Sequence, residues 1–494
     1  MCFLRHRRIG ETRVRACSRG TIAVVRARTS GNEMTDQKSQ LPRYLRAEMA
    51  PVPDEIDAVD LSIEGTLPSE LDGMYLRNGP NPPPGTDPTH FFVGHGMIHG
   101  VRLAEGRARS YRNRWVQTPI LKGARPVRPD GTRDLTASTA NTSVLSYAGA
   151  ILALVENSLP FAMTPELATL GPYDFGGKLR TPMTAHPKFD VASGELHFFG
   201  YDFRPPFVTY HVASADGRLL RSEVIDVKGP TMMHDFGLTA NHVVWLDLPV
   251  VLDMALTATS RMPYRWTDDY PPRIGIMPRT GGAADVRWLS VKPGYAFHVA
   301  NAYEDDGGRI VIDAARYDRE AINTTWRALG GASILKSEQP LSGGVLYRWV
   351  IDPVNGLISE EPLDDLAVDF PMINLAYTGR PHRFTYATSL ELLADEQGSK
   401  IAKYDRSTGQ RSVHELGKGW IGGEVSFVPA RDASGEDDGW LVSIVTHETA
   451  NAAQLVVLDA SHIADSPVAT VHLPRRVPTG FHGAWIAASE LPEP

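Results

Sequence analysis

Between residues 147 and 446 short β-rich runs recur, each entered through a tight polar turn. ILALVENSL lies beyond Tyr147-Ala148-Gly149, ELHFFGYDF follows Ala192-Ser193-Gly194, and RLLRSEVIDV follows Asp216-Gly217. RIVIDAARY follows Asp305-Asp306-Gly307-Gly308, and WLVSIVT follows Asp437-Asp438-Gly439. Gly and Asp at these points suit the positive φ that two-residue hairpin loops demand, so the rhythm is that of consecutive antiparallel hairpins. Long amphipathic helical patterns are scarce, and the reading is an all-β fold. At 494 residues the chain exceeds the usual compact domain unless the fold is a large closed one. No strict internal repeat is visible, so the hairpin rhythm alone does not choose between a propeller, a sandwich and a β-helix. Residues 119–132 and 250–266 are too long for hairpin turns and read as insertions on one face, where a site is usually built.

Composition narrows the function classes. With 42% hydrophobic and 22% charged residues the chain has the make-up of a globular protein, and its net charge of −8 argues against nucleic acid as a partner. Residues 1–33 differ: eight arginines face only Glu11 and Glu33, and both cysteines, Cys2 and Cys17, lie there. This stretch reads as a basic extension or an upstream start ahead of Met34, with a transit peptide as the alternative. The body, lacking cysteine, has no disulfide framework, which fits a reducing, cytoplasmic setting. No run of 18 apolar residues is present to span a membrane. The segment LPVVLDMAL at 248–256 is apolar enough to suggest peripheral contact with a bilayer surface, although a strand end packed on the body explains it equally well. There is no G-x-S-x-G elbow, P-loop, dinucleotide fingerprint or C-x-x-C, so acyl transfer, NTP hydrolysis and nicotinamide redox chemistry have no support.

Four of the 16 histidines stand in distinctive frames: His186 in TAHPKFD, His234 in MMHDFGLT, His298 in FHVANAYE and His482 in GFHGAW. Taken singly, each reads as an ordinary core or surface histidine. Neutral imidazole is nonetheless a good ligand for iron, copper, nickel or zinc, and ligands this far apart in sequence meet only where a large closed scaffold brings them together. His90, His95 and His99 hint at a second cluster, but in a β-rich segment with two glycines they need not share a face.

These frames, with YLRNGPNP at 75–82, GMIHG at 96–100 and DFPMIN at 369–374, occur together and in order over about residues 41–485. In this the chain resembles the carotenoid cleavage oxygenases. The resemblance implies an all-β, seven-bladed β-propeller over 34–490, with loop and short-helix insertions over one face and one Fe(II) held by His186, His234, His298 and His482. It implies O2 as co-substrate and, as the reaction, cleavage of one carbon–carbon double bond of a carotenoid or apocarotenoid to two carbonyl products.

By the same resemblance Glu156, Asp369 and Glu424 orient His234, His298 and His482, leaving His186 without a carboxylate partner. The family usually has Glu where Asp369 stands, so the shorter side chain is expected to reach His298 by a longer hydrogen bond or through water. An apolar tunnel for a hydrophobic polyene is expected to be lined by Val155, Phe297, Phe370, Trp115, Phe161, Phe236 and Phe481, any of which could instead be plain core. The stilbene-cleaving branch typically carries Lys at the Val155 position, and an apolar Val suits a hydrocarbon better than a phenol. A stilbene-cleaving dioxygenase and a non-catalytic retinoid- or lipid-binding propeller are the alternatives. YLRNGPNPPPG reads as a tight structural entry turn.

Overall fold

The computed structural model describes residues 41–330, 343–390 and 398–492. The basic stretch 1–33, with Cys2 and Cys17, lies outside the described residues. Within them, antiparallel strands form seven sheets arranged as a propeller, plus one small hairpin.

Each blade is a meander. The second blade runs Ser143–Tyr147, Ala150–Leu154, Phe161–Met163 and Thr169–Pro172. Its first hairpin pairs Tyr147 with Ala150, leaving a two-residue loop in which Ala148 and Gly149 both take positive φ (49° and 75°). That is the primed turn whose twist suits a hairpin, and it sets the register of the strands on either side. The third, fourth, fifth and sixth blades open with Lys188–Phe189, Phe236–Leu238, Tyr295–Glu304 and Val368–Met372; the seventh carries Ser426–Pro429.

Closure of the ring uses both ends of the body. Ile63–Gly65 adds an outer strand to the seventh blade, with Ile63 opposite Val471. Gly483–Ala487 adds the inner strand of the first blade beside Gly73–Pro80, with Tyr75 opposite Trp485. Each of these strands thus completes a sheet built mainly from the other end of the body, which closes the ring.

The core lies mainly between blades. Phe199, Tyr210, Phe236, Trp245, Ile274 and Tyr295 form one apolar cluster across the third, fourth and fifth blades. Among the described residues the one α-helix, Arg319–Ala328, lies between two strands of the fifth blade; Asp318 caps it by accepting from the Ala321 amide at 2.8 Å. The 250–266 stretch is the hairpin Val250–Leu252 with Tyr264–Trp266, carrying the short 3-10 turn Met254–Ala258 between them. Among the described residues no helix is long and apolar enough to cross a membrane.

Candidate metal centre

His186, His234 and His482 each stand just before the inner strand of a blade, in the third, fourth and first blades, while His298 lies near the start of the fifth blade's inner strand. Because the inner strands descend beside a common axis, residues at their starts meet at one end of it. One ring nitrogen from each of the four lies within 4.8 Å of all the others. The Nε2 atoms of His186 and His234 are 3.0 Å apart, and those of His234 and His298 3.2 Å. Two nitrogens at adjacent corners of an octahedron with metal–nitrogen bonds of about 2.1 Å would be about 3.0 Å apart, so these spacings fit a shared ion.

Backbone contacts fix the ligand-bearing segments. Thr184 Oγ1 accepts from the His186 amide at 3.1 Å and donates to the His234 carbonyl at 3.3 Å, tying the third blade to the fourth. The His482 amide donates to Thr142 O at 3.1 Å, and its carbonyl accepts from Asn78 N at 2.9 Å. Asp235 accepts from the amides of Phe236 (2.7 Å) and Val299 (2.8 Å), joining the ligand-bearing segments of the fourth and fifth blades.

Three imidazoles are held from behind by carboxylates, each from another blade. Glu156 pairs with Nδ1 of His234. Asp369 Oδ1 meets Nδ1 of His298 at 2.7 Å, and Glu424 Oε1 meets Nδ1 of His482 at 3.0 Å. His186 has no such partner among the described residues. With Nδ1 engaged, Nε2 of each of those three rings is turned inward, which is the arrangement a metal-binding histidine needs. Burial, followed by repulsion from the other three rings, pushes His186 well below the usual histidine range; burial also lowers His482. Both rings are therefore neutral and ready to ligate. Burial acts on His298 too, but Asp369 outweighs it and raises this group. Four imidazole nitrogens with no carboxylate among them suit a borderline metal such as iron(II) and, as ligands, would leave its charge undiminished.

The expected longer or water-carried link from Asp369 is corrected: the bond to His298 is direct. The inner strand bulges between Asp369 and Met372, and Phe370 takes a left-handed φ of 53°. Its amide turns back to Asp369 Oδ1 at 2.8 Å, and the Tyr317 hydroxyl donates to Oδ2 at 2.5 Å. The backbone thereby carries the short carboxylate to the imidazole and makes up for the missing methylene. Asp369→Ala should lower iron affinity about 10–100-fold, the usual loss when such a partner is removed. Competition with a chelator checks this; an unchanged affinity would show that Asp369 does not hold His298.

A cavity of about 430 Å³ opens onto three of the four histidines, His234, His298 and His482. Of the expected lining residues, Val155, Phe297, Phe370 and Phe481 are on its wall. Trp115, Phe161 and Phe236 are not, which corrects the expectation for these three. Phe161 and Phe236 are core between blades, 2% and 0% exposed, and the Trp115 indole donates to Asn81 O at 2.7 Å on the outer side of the first blade. His90, His95 and His99 do not come together as ligands; His99 instead meets the Tyr111 hydroxyl at 2.7 Å.

Sequence reading missed two tyrosines, Tyr317 and Tyr201, the latter donating to Glu156 Oε2 at 2.6 Å. Their only signal was that each stands at or near the end of a β-run, ELHFFGYDF or RIVIDAARY. It also missed that the 250–266 insertion supplies Leu252, Met254, Met262 and Tyr264 to the cavity wall.

Comparison with known proteins agrees with this geometry. The family model of the retinal pigment epithelial membrane protein matches residues 49–487. A carotenoid cleavage oxygenase of Mycobacterium tuberculosis is 40% identical over 91% of this chain and 98% of its own length. The carotenoid 9,10(9',10')-cleavage dioxygenase 1 of Arabidopsis thaliana is 33% identical over 91% of each chain. Among solved structures, the lignostilbene dioxygenase of Pseudomonas brassicacearum superposes with a TM-score of 0.79 at 28% identity, over 91% of this chain and 99% of that one. With a propeller closed at both ends, four converging imidazoles and these matches along its length, the chain belongs to the retinal pigment epithelial membrane protein family, that of the carotenoid cleavage oxygenases.

Proposed function

We propose that this protein is a non-haem Fe(II)-dependent dioxygenase that cleaves a carbon–carbon double bond of a carotenoid or apocarotenoid with O2, giving two carbonyl products. The observation that carries this reading is the opening of an apolar cavity directly onto the histidine cluster. His186, His234, His298 and His482 are the residues that would hold the iron. Bound iron would supply the centre at which dioxygen is brought to the alkene.

The chain's own part is to orient and to exclude water. Glu156, Asp369 and Glu424 keep the imidazoles turned inward. Phe297 packs edge-on against His234, and Phe370 stacks on His298, their ring centroids 5.3 and 5.0 Å away. These rings present a flat apolar wall on which a polyene can lie with one double bond beside the metal position, and holding reactants in that geometry is itself a large part of catalysis.

A second reading, cleavage of a hydroxystilbene, has the likeness to the lignostilbene dioxygenase in its favour. Val155 speaks against it: this side chain, 6% exposed beside Glu156, offers nothing to a phenolate. The deciding experiment incubates the iron-loaded protein with carotenoids, apocarotenals and hydroxystilbenes and identifies products by mass. Two carbonyl fragments from a polyene support the proposal. Turnover of hydroxystilbenes far above every polyene would replace it with the second reading, and a protein that binds polyenes without cleaving any would be a carrier.

Access from a bilayer belongs to the same proposal. Leu248 and Val250 of the apolar segment are core, each 2% exposed, so the docking surface is narrower than the sequence suggests. It centres on Met254, 68% exposed at the turn of the hairpin that also lines the cavity. Met254→Asp should reduce co-sedimentation with phosphatidylcholine vesicles, because a charge there opposes burial among acyl chains. Equal sedimentation of the variant and wild type would exclude this surface.

A further inference from the structure

Among the described residues the buried cations are Arg77, 3% exposed, and Lys403, 7% exposed. Lys403 is fully provided for: its Nζ lies 2.6 Å from Asp437 Oδ2 and donates to Ala460 O at 2.8 Å. Arg77 is not. No described carboxylate lies within ion-pair distance of it, its Nη1 donates to Ile444 O only at a long 3.5 Å, and its Nε is buried without an acceptor. The Tyr75 hydroxyl, which donates to Glu424 O at 3.1 Å, is a neutral hydrogen-bonding neighbour of the guanidinium and does not balance its charge.

Two glycines clear the space that the guanidinium occupies. A Cβ at Gly423 would lie 1.9 Å from Nη1, and one at Gly480 would lie 3.0 Å from Nε. Arg77, Gly480, Thr479 and Gly422 all line the cavity, and Thr479 Oγ1 is likewise buried with no partner. This polar patch sits where the first and seventh blades meet, while the 250–266 insertion rises from the fourth blade on the other side of the ring. The neighbouring Asn78 explains its own burial by donating to Ala140 O (3.0 Å) and Ser143 O (2.9 Å). Arg77 has no comparable structural account. Arginine cannot shed its proton, and a buried charge without a partner is strongly unfavourable.

We propose that Arg77, with Thr479, forms an anion-accepting subsite on the cavity wall that takes the carboxylate of a polyene acid. The guanidinium fork matches a carboxylate, and such charge-assisted pairs are the strong ones. The assignment rests on the polyene reading above and makes it more specific: the substrate is a chain already shortened and oxidised at one end, so an earlier cleavage followed by oxidation of the aldehyde must supply it.

The test measures binding of retinoic acid and its methyl ester to the iron-loaded full chain, alongside dodecanoic acid and methyl dodecanoate. Wild type should bind retinoic acid about tenfold or more tightly than the ester, the worth of a hydrogen bond to a charged group. Arg77→Gln with unchanged iron content should bind the two alike. An ester bound as tightly as the acid by wild type, or an acid preference kept by Arg77→Gln with full iron, would overturn the subsite. If Arg77→Gln does not fold, Thr479→Val decides: it should weaken the acid alone by about threefold, and an unchanged acid affinity would overturn the subsite. Arg77-dependent binding of dodecanoic acid with no binding of either retinoid would leave the subsite standing and remove the polyene reading. Equal binding and cleavage of both retinoids would do the reverse.

Discussion

Alanine in place of His186, His234, His298 or His482 is expected to remove bound iron and activity together. The four ring nitrogens lie within 4.8 Å of one another, and the described residues bring no carboxylate into that group to replace a lost imidazole. Losing even an outer partner of a metal ligand typically costs 10–100-fold in affinity, and losing the ligand itself should cost more. The fold should survive, because these residues stand at or near the starts of inner strands rather than in the apolar clusters between blades. Iron per chain by elemental analysis, with melting temperature as a control, checks this. Full iron content in any two of the variants would sink the ligand assignment.

Val155→Lys should cut polyene turnover by at least about a hundredfold. Val155 is buried on the cavity wall beside Glu156, so a lysine there either places a desolvated ammonium against the hydrocarbon, costing several kcal/mol, or gives up its proton. If the ammonium pairs with Glu156 instead, it competes with His234 for that carboxylate, and metal binding suffers as well. Turnover of a hydroxystilbene should fall less or rise, since a cation there can hold a phenolate. Polyene turnover unchanged by the substitution would show that Val155 does not face the substrate.

How far the sequence could be read depended on whether the deciding interactions are local. The hairpin at Ala148-Gly149 was legible because two residues with positive φ set it. Closure of the ring was not, because Ile63–Gly65 pairs with a strand some 400 residues away and nothing local announces that partner. The metal-centre candidates were legible as frames, but the lining residues only in part, and the reason is strand alternation. Successive residues of a regular strand point to opposite faces. Phe297 and His298 reach the same cavity because the register shifts between Ala296 and Val299; Asp369 and Phe370 do so because of the bulge that follows. Phe236, in a strand paired without such a break, turns into the core, and so does Phe161, whose strand shifts register only after it, between Ala162 and Met163. Bulges, like the tyrosines behind the carboxylates, depend on contacts between distant strands and leave no signature in the one-dimensional pattern.

One iron held by four imidazoles and by no carboxylate is the arrangement on which the proposed chemistry depends. X-ray absorption at the iron edge of the metal-loaded protein tests it most directly. A light-atom shell at about 2.1 Å with the outer-shell scattering of four imidazole rings is expected. A shell fitted by two or three imidazoles together with a carboxylate oxygen would contradict it, because Glu156, Asp369 and Glu424 would then be ligands rather than the groups that hold them.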